Sequence, residues 1–261
     1  MLSGLLDLLR AARLYDLAQT YFVGMPHYPT HPPFLFSLTH KHAEAAPVSS
    51  ASDAIALSGH TGTHIDALCH YSRAGRLHGG AAAAQTYAEG MGALGIDTVA
   101  PIFRRGVLLD IAGNQGAAEL APDFAIAPEH LERAAAAENV AIEAGDVVLL
   151  RTGRGRWWND PARYAGEGRA PGPEEAGARW LSAHKVFAAG SDTMSFEKVP
   201  AAGMPVHAHL LVDSGIHLIE CLNLEELARD RVYTFIFVAA PLKIRGGTAS
   251  PLRPVALALT S

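Results

Sequence analysis

Two stretches, GVLLDIAG (106–113) and GDVVLLRTG (145–153), decide the fold class. Each is a short aliphatic run bounded by glycine, the pattern of a strand buried on both faces of a sheet. Between them PEHLERAAAAENV (128–140) places Pro128 at a helix start with apolar residues at helical spacing. PEEAGARWLSAH (173–184) predicts a second helix, with acidic residues in a first turn where they complement the helix dipole. VFAAGSD (186–192) and VYTFIFVAAPL (232–242) are strand-like again, the latter rich in β-branched and aromatic side chains. Strands and helices interleave without an internal repeat, so residues 1–261 are expected to form a single α/β domain, a central mixed β-sheet flanked by helices.

The flanking segments are read in the same way. Leu2, Leu5, Leu6 and Leu9 follow i, i+3, i+4, i+7 spacing and predict a short amphipathic helix that packs on the body or on a second subunit. In FVGMPHYPTHPPF (22–34) four prolines fix φ and remove amide donors, which predicts an ordered loop or edge. Apolar residues at 34–38 and 55–57 suggest strands, and the alanine run predicts a helix over 80–89. The Gly/Arg/Pro-rich stretch 154–173 is expected to be irregular, with Trp157 and Trp158 anchoring it to the body.

Composition excludes several classes. Of 261 residues, 49% are hydrophobic and 18% charged, enough apolar surface for a sizeable core. The net charge of −5 carries no basic tract, so nucleic acid is not an expected partner. No stretch reaches the roughly 18 uninterrupted apolar residues of a membrane span, and the leading residues lack the basic n-region and cleavage site of a signal peptide. Two cysteines, Cys69 and Cys221, are too few for a disulfide framework, which points to a reducing, cytoplasmic setting. The unusual count is histidine, present 13 times.

Three of those histidines cluster in SGHTGTHIDALCH (58–70) with one carboxylate: His60, His64, Asp66 and His70. The gaps from His60 are all even, so an extended chain would set the four on one face. A straight strand still leaves His60 and His64 roughly 13 Å apart at about 3.3 Å per residue. Ligands of one ion bring their donors to about 2.0–2.2 Å from it, so the chain has to curl, and Gly62 permits that. Two imidazoles and a carboxylate are a common set for a divalent catalytic ion with positions left for water. Such an ion lowers the pKa of water from about 15.7 towards 7. His70, with an ordinary pKa near 6.5, would serve as the base.

The same segment resembles the signature of the metal-dependent cyclase family, which includes bacterial kynurenine formamidases and isatin hydrolases, with the pattern H-x-G-T-H-x-D-x-P-x-H. His60, Gly62, Thr63, His64, Asp66 and His70 match in register, while Leu68 stands where the family usually has proline. Tyr15-Asp16-Leu17 with Gly24-Met25-Pro26 and Tyr28-Pro29, the two aliphatic runs, GSDTMS and the closing SPLRPVALA follow the family's order, so most of the chain is covered. The resemblance implies a metal site completed by His207 of PVH and Glu220 of IECLNL, with His209 as an alternative to His207. His209 and His217 otherwise read as surface residues, and Asp213 and Glu225 as solvated.

What the resemblance implies chemically is hydrolysis of a C–N amide bond in a small cyclic or aromatic amide, as in isatin hydrolases, using one or two divalent ions, Mn2+ or Zn2+, bridged by Asp66. His70, with Glu220 or His207, would shuttle the proton. Phe22, Tyr28 and Phe34 are candidate walls for the ring, and Thr63 and Asp16 would orient the ligands. It also implies a homodimer or homotetramer in which the leading helix and proline loop lie at a subunit interface. The competing readings are an arylformamidase acting on an open-chain formyl amide, a cyclising dehydratase, an inactive metal-binding module, and a nucleophilic Cys69 beside His70.

Overall fold

The computed structural model of the chain describes residues 2–43 and 47–259. Its centre is a nine-stranded sheet in the order Arg13–Asp16, Val255–Ala258, Thr234–Ala239, Ile102–Leu109, Val147–Leu150, Ala188–Ser191, His217–Glu220, His64–Asp66 and Ala249–Pro251. The four strands from Ile102–Leu109 to His217–Glu220 run parallel, and the pairings on either side are antiparallel. This is the expected mixed sheet, and its parallel centre is where the glycine-bounded aliphatic runs lie.

Alternation along those strands feeds two core layers. Val107, Leu109, Val148, Leu150 and Leu218 face a layer built with Leu131 and Ala134 of helix Pro128–Ala137 and Ala178 and Leu181 of helix Glu175–Ala183. Leu108, Val147, Leu149 and Ile219 face the other way, against Ile96, Leu224, Leu227 and the aromatic rings of Phe235 and Phe237. Each aliphatic side chain buried in this way contributes about 1.5–3 kcal/mol relative to exposure.

Four expectations change. The strand at 106–113 begins earlier, at Ile102, and ends at Leu109. Asp110 ends it by accepting a hydrogen bond from the Gly113 amide at 2.9 Å, which caps the helical turn Ile111–Asn114. The helix expected over 80–89 does not form: a 3-10 turn at His78–Gly80 leads to the short hairpin Gln85–Thr86/Gly90–Met91. Gly79, Gly80 and Gly90 take positive φ, and the alanines have no continuous apolar face to bury, so propensity alone does not sustain a helix there.

The third change concerns 154–173, which is ordered by local structure rather than irregular: a 3-10 turn at Arg154–Trp157, helix Pro161–Ala165 with Asp160 as its cap, and a pairing of Gly172–Pro173 with Ala125–Ile126. Trp158 donates to the Thr20 carbonyl at 2.7 Å and Trp157 to Glu119 at 2.8 Å, so both tryptophans anchor the segment as expected. The buried Asp192 carboxylate ties its start, accepting from Thr152 N and Oγ1, Gly153 N and Gly155 N. Fourth, the strands near 34–38 and 55–57 pair with each other as Leu35–His40 with Ser52–Ala56, and every residue of the two strands is exposed. The leading helix spans Leu2–Ala11, with Leu6 exposed and Leu9 half-buried; the side chains of Leu2 and Leu5 lie outside the described residues. Among the described residues no helix is long and apolar enough to cross a membrane.

Candidate metal centre

The centre begins with a three-residue strand. His64–Asp66 lies between His217–Glu220 and Ala249–Pro251, and its antiparallel register places His64 opposite Glu220. His64 and Asp66 therefore share one face, while Ile65 between them enters the core beneath. The curl predicted at Gly62 is present: its φ is +66°, and a Cβ there would lie 2.5 Å from the Tyr21 ring. The Tyr21 hydroxyl reaches the Thr61 and Thr63 carbonyls at 2.7 and 3.0 Å. Thr63 donates to the Cys221 carbonyl at 2.6 Å and accepts from Gln19 N, which fixes the histidine strand to the chain just after Glu220.

Beyond Asp66 the chain is no longer extended. A turn with His70 N bonded to the Ala67 carbonyl swings His70 back, so its ring stands 4.1 Å from that of His60. The one-face reading thus holds for His64 and Asp66, and a bend on each side brings in His60 and His70.

Two groups of donors result, His60/His64/Asp66 and Asp66/His207/Glu220, each with its donor atoms within 4.8 Å of one another. His60 Nδ1 is 2.9 Å and His64 Nε2 3.5 Å from Asp66 Oδ1, and His64 Nε2 is 3.4 Å from Glu220 Oε2. His207 Nε2 is 3.2 Å from Glu220 Oε1, which also accepts from Phe196 N at 2.7 Å. The other nitrogen of His64 donates to the Gly62 carbonyl at 2.8 Å, leaving Nε2 to face the cluster. His207 is held the same way by Glu197, whose Oε2 lies 2.6 Å from Nδ1 and 3.0 Å from the His207 amide.

The residues fit a divalent cation on an observation of their own. Both oxygens of Asp66 and Nε2 of His64 are buried and make no well-aligned hydrogen bond despite the short separations within the cluster, and they converge on one point of the fold. Leaving buried carboxylate oxygens unpaired is costly, and a cation relieves it. Burial opposes charge on His64 and His207, but their carboxylate neighbours overcome it: Asp66 and Glu220 raise His64 well above its ordinary value, and Glu197 and Glu220 push His207 up to about 10. The carboxylates thus draw positive charge into the cluster, and a bound cation would displace those protons. An all-N/O set does not choose between zinc and manganese. Burial pushes His70 down to about 3 against the pull of Asp66, so the ring is neutral at pH 7 and a weaker base than the ordinary value near 6.5 implies.

Other expected residues fall elsewhere. His209 is not in the cluster: Nε2 is 2.8 Å from Ser182 Oγ, and Nδ1 is 3.7 Å from Asp213. Both His209 and His217 are buried rather than on the surface, and His217 donates from Nδ1 to the Asp66 carbonyl at 2.8 Å, supporting Asp66 from behind. Asp16 caps Ala18 N and pairs with Arg253, away from the cluster. Glu225 binds Arg151 and Arg156, and Asp213 binds Arg73, so neither carboxylate is merely solvated. Phe22 and Phe34 pack in a separate cluster with Met25, Trp158 and Tyr164, while Tyr28 does line the site's cavity. Cys69 points to the Gly247 carbonyl, and burial raises its thiol to about 11, which removes the Cys–His reading.

That cavity, about 150 Å³, opens onto His60, His64, His70, His207 and Glu220. Several other groups at or behind this cavity were not read from the sequence. Glu197 is one, lying behind His207. His31 is another, its ring 5.0 Å from that of His60. Tyr71, Ser195, Met194 and Met204 complete the walls. For His31 a signal existed, a histidine inside a stiff proline loop; for Glu197 no spacing pointed to it.

The Cyclase family model, described as "Putative cyclase", matches residues 15–198. The chain is similar to the isatin hydrolase of Roseibium aggregatum, at 30% identity over 77% of this chain and 72% of that protein. It is also similar to the kynurenine formamidase of Erythrobacter litoralis, at 26% identity over 93% of each. Among solved structures, a novel cyclase superposes with a TM-score of 0.87 at 27% identity, covering 98% of this chain and 90% of that one.

Proposed function

The chain belongs to the cyclase family, and on that premise we propose that it is a metal-dependent hydrolase that cleaves the C–N amide bond of a small cyclic or aromatic amide, in the manner of an isatin hydrolase. The observation that carries this is the convergence of five donor residues, His60 half-buried and the other four buried, with three unpartnered atoms among them, beside a small cavity of about 150 Å³. His60, His64, Asp66, His207 and Glu220 would hold one or two divalent ions, Mn2+ or Zn2+. A bound ion supplies Lewis acidity and a water of lowered pKa.

The chain's residues do the rest. Water adds to the amide carbon, the carbonyl π electrons move to oxygen, and the C–N bond then breaks to leave a carboxylate and an amine. His70, whose ring stands 4.1 Å from that of His60, accepts the water's proton and returns it to the departing nitrogen. Glu197 fixes His207 with Nε2 towards Glu220, and the Gly62 carbonyl fixes His64. Tyr28 and Tyr71 provide flat walls for a ring.

A second reading, an arylformamidase, is favoured by the fuller coverage of the kynurenine formamidase match. Purified protein, stripped with a chelator and reloaded with zinc or manganese, is offered isatin and N-formylkynurenine. Opening of isatin supports the first reading; rapid formamide cleavage without isatin opening overturns it in favour of the second. Isolated two-stranded hairpins are marginal in water, and the exposed Leu35, Phe36, Leu38 and Ile55 support a homo-oligomer in which a second copy covers Leu35–His40/Ser52–Ala56. Sedimentation equilibrium of a monomer at tens of micromolar would remove that part of the proposal.

A further inference from the structure

The segment Ser191–Glu197 puts Met194 and Ser195 on the rear wall of the cavity and is tied down along its length. Ser191 Oγ lies 2.6 Å from Thr193 Oγ1, which donates to the Ser195 carbonyl at 2.7 Å. Asp192 accepts from the amides of Thr152, Gly153 and Gly155. The chain after Glu220 grips the same segment, Cys221 N to the Thr193 carbonyl and Leu222 N to the Ser191 carbonyl, and Phe196 N donates to Glu220 itself. Glu197 is committed to His207.

Within this segment every polar side chain has a partner except one. The hydroxyl of Ser195 is buried, 3% exposed as a residue, and makes no hydrogen bond; it lines the cavity with His64, His70, His207 and Glu220. An unpaired buried hydroxyl costs stability, and its backbone is held too firmly for it to turn away. A bound ion accounts for the unpartnered atoms of Asp66 and His64, whereas the O–H of Ser195 still needs an acceptor.

We propose that Ser195 is a catalytic residue whose hydroxyl donates a hydrogen bond to the carbonyl oxygen of the scissile amide, strengthening as that oxygen becomes the oxyanion. The role rests on the amidohydrolase reading of the site. The donor is placed before substrate arrives, by the Ser191–Thr193–Ser195 relay and the Cys221 contact, so no reorganisation is needed as charge develops. The substrate class follows: an amide whose carbonyl oxygen can enter the cavity beside Ser195 while its nitrogen faces His70.

The test compares metal-loaded wild type with Ser195→Ala and with the near-isosteric Ser195→Cys, whose thiol is a weaker donor. For Ser195→Ala the expected result is a fall in kcat of about 10²–10³-fold. KM should change less than threefold, with metal content per chain unchanged and a melting temperature no lower than wild type. Ser195→Cys is expected to fall between the two in kcat. A Ser195→Ala enzyme that keeps more than a tenth of wild-type kcat overturns the role, as does a loss of rate accompanied by lost metal or a lower melting temperature. Wild type that hydrolyses neither isatin nor N-formylkynurenine overturns the reading of the function, and the Ser195 role with it; turnover by wild type with an unaffected Ser195→Ala overturns the serine alone.

Discussion

The two donor groups that share Asp66 are built in opposite ways. His60, His64 and Asp66 come from one seven-residue stretch shaped by a bend at Gly62, so local backbone geometry assembles them. Asp66, His207 and Glu220 come from three separate elements, and what orients them is tertiary: strand register sets Glu220 across from His64, and Glu197 turns His207. The first group is held by backbone conformation, the second by side-chain partners. Each should therefore fail by a different kind of mutation.

The largest effect should come where the groups meet. Asp66→Ala removes a ligand from both, and metal affinity should fall by more than the roughly 10–100-fold that a supporting partner is worth; competition titration against a chromogenic chelator measures it. Metal retention equal to wild type would mean that the groups do not share a ligand. Next is Gly62→Ala, which forces a side chain into left-handed backbone and against Tyr21. It should destabilise by about 2–4 kcal/mol and lower the melting temperature even in chelator, because the first group is a matter of backbone. Glu197→Ala should leave the fold largely intact but weaken metal binding about 10–100-fold, with Glu197→Gln recovering part of that by still accepting from the His207 amide. A drop in melting temperature without a change in metal affinity would blur the contrast.

The smallest effect is expected at Cys69, which lies between the groups in sequence and belongs to neither. Burial raises its thiol to about 11, so the thiolate is scarce at pH 8 and grows only as pH approaches 11. Cys69→Ser should retain activity within about threefold, and iodoacetamide should label the folded wild type slowly at pH 8; rapid labelling would contradict the buried thiol.

The same contrast explains what could be read beforehand. The curl at Gly62, the pairing of His64 with Asp66, and the buried parallel strands all express short-range periodicity and steric rules, and these survive in a linear string. Glu220 and His207 are legible only through resemblance, since nothing local announces that Glu220, 156 residues later (220 − 64), will pair with His64. Glu197, His31 and Ser195 carry no spacing signal because their roles are set by where the rear wall and the proline loop come to rest. The absent helix over 80–89 is the converse: alanine content favours a helix, and the glycines at both ends with no apolar face to bury decide otherwise.

Ile65 has a consequence reaching beyond any single molecule. It projects into the core, paired with Ile219, from between His64 and Asp66, which project into the centre. The distance between those two ligands is thus the thickness of one residue whose other end is hydrophobic packing. Over generations, exchanges at 65 and 219 should be accepted in matched pairs of equal combined volume, so that the inheritance of an apolar contact records the demands of a site it never touches.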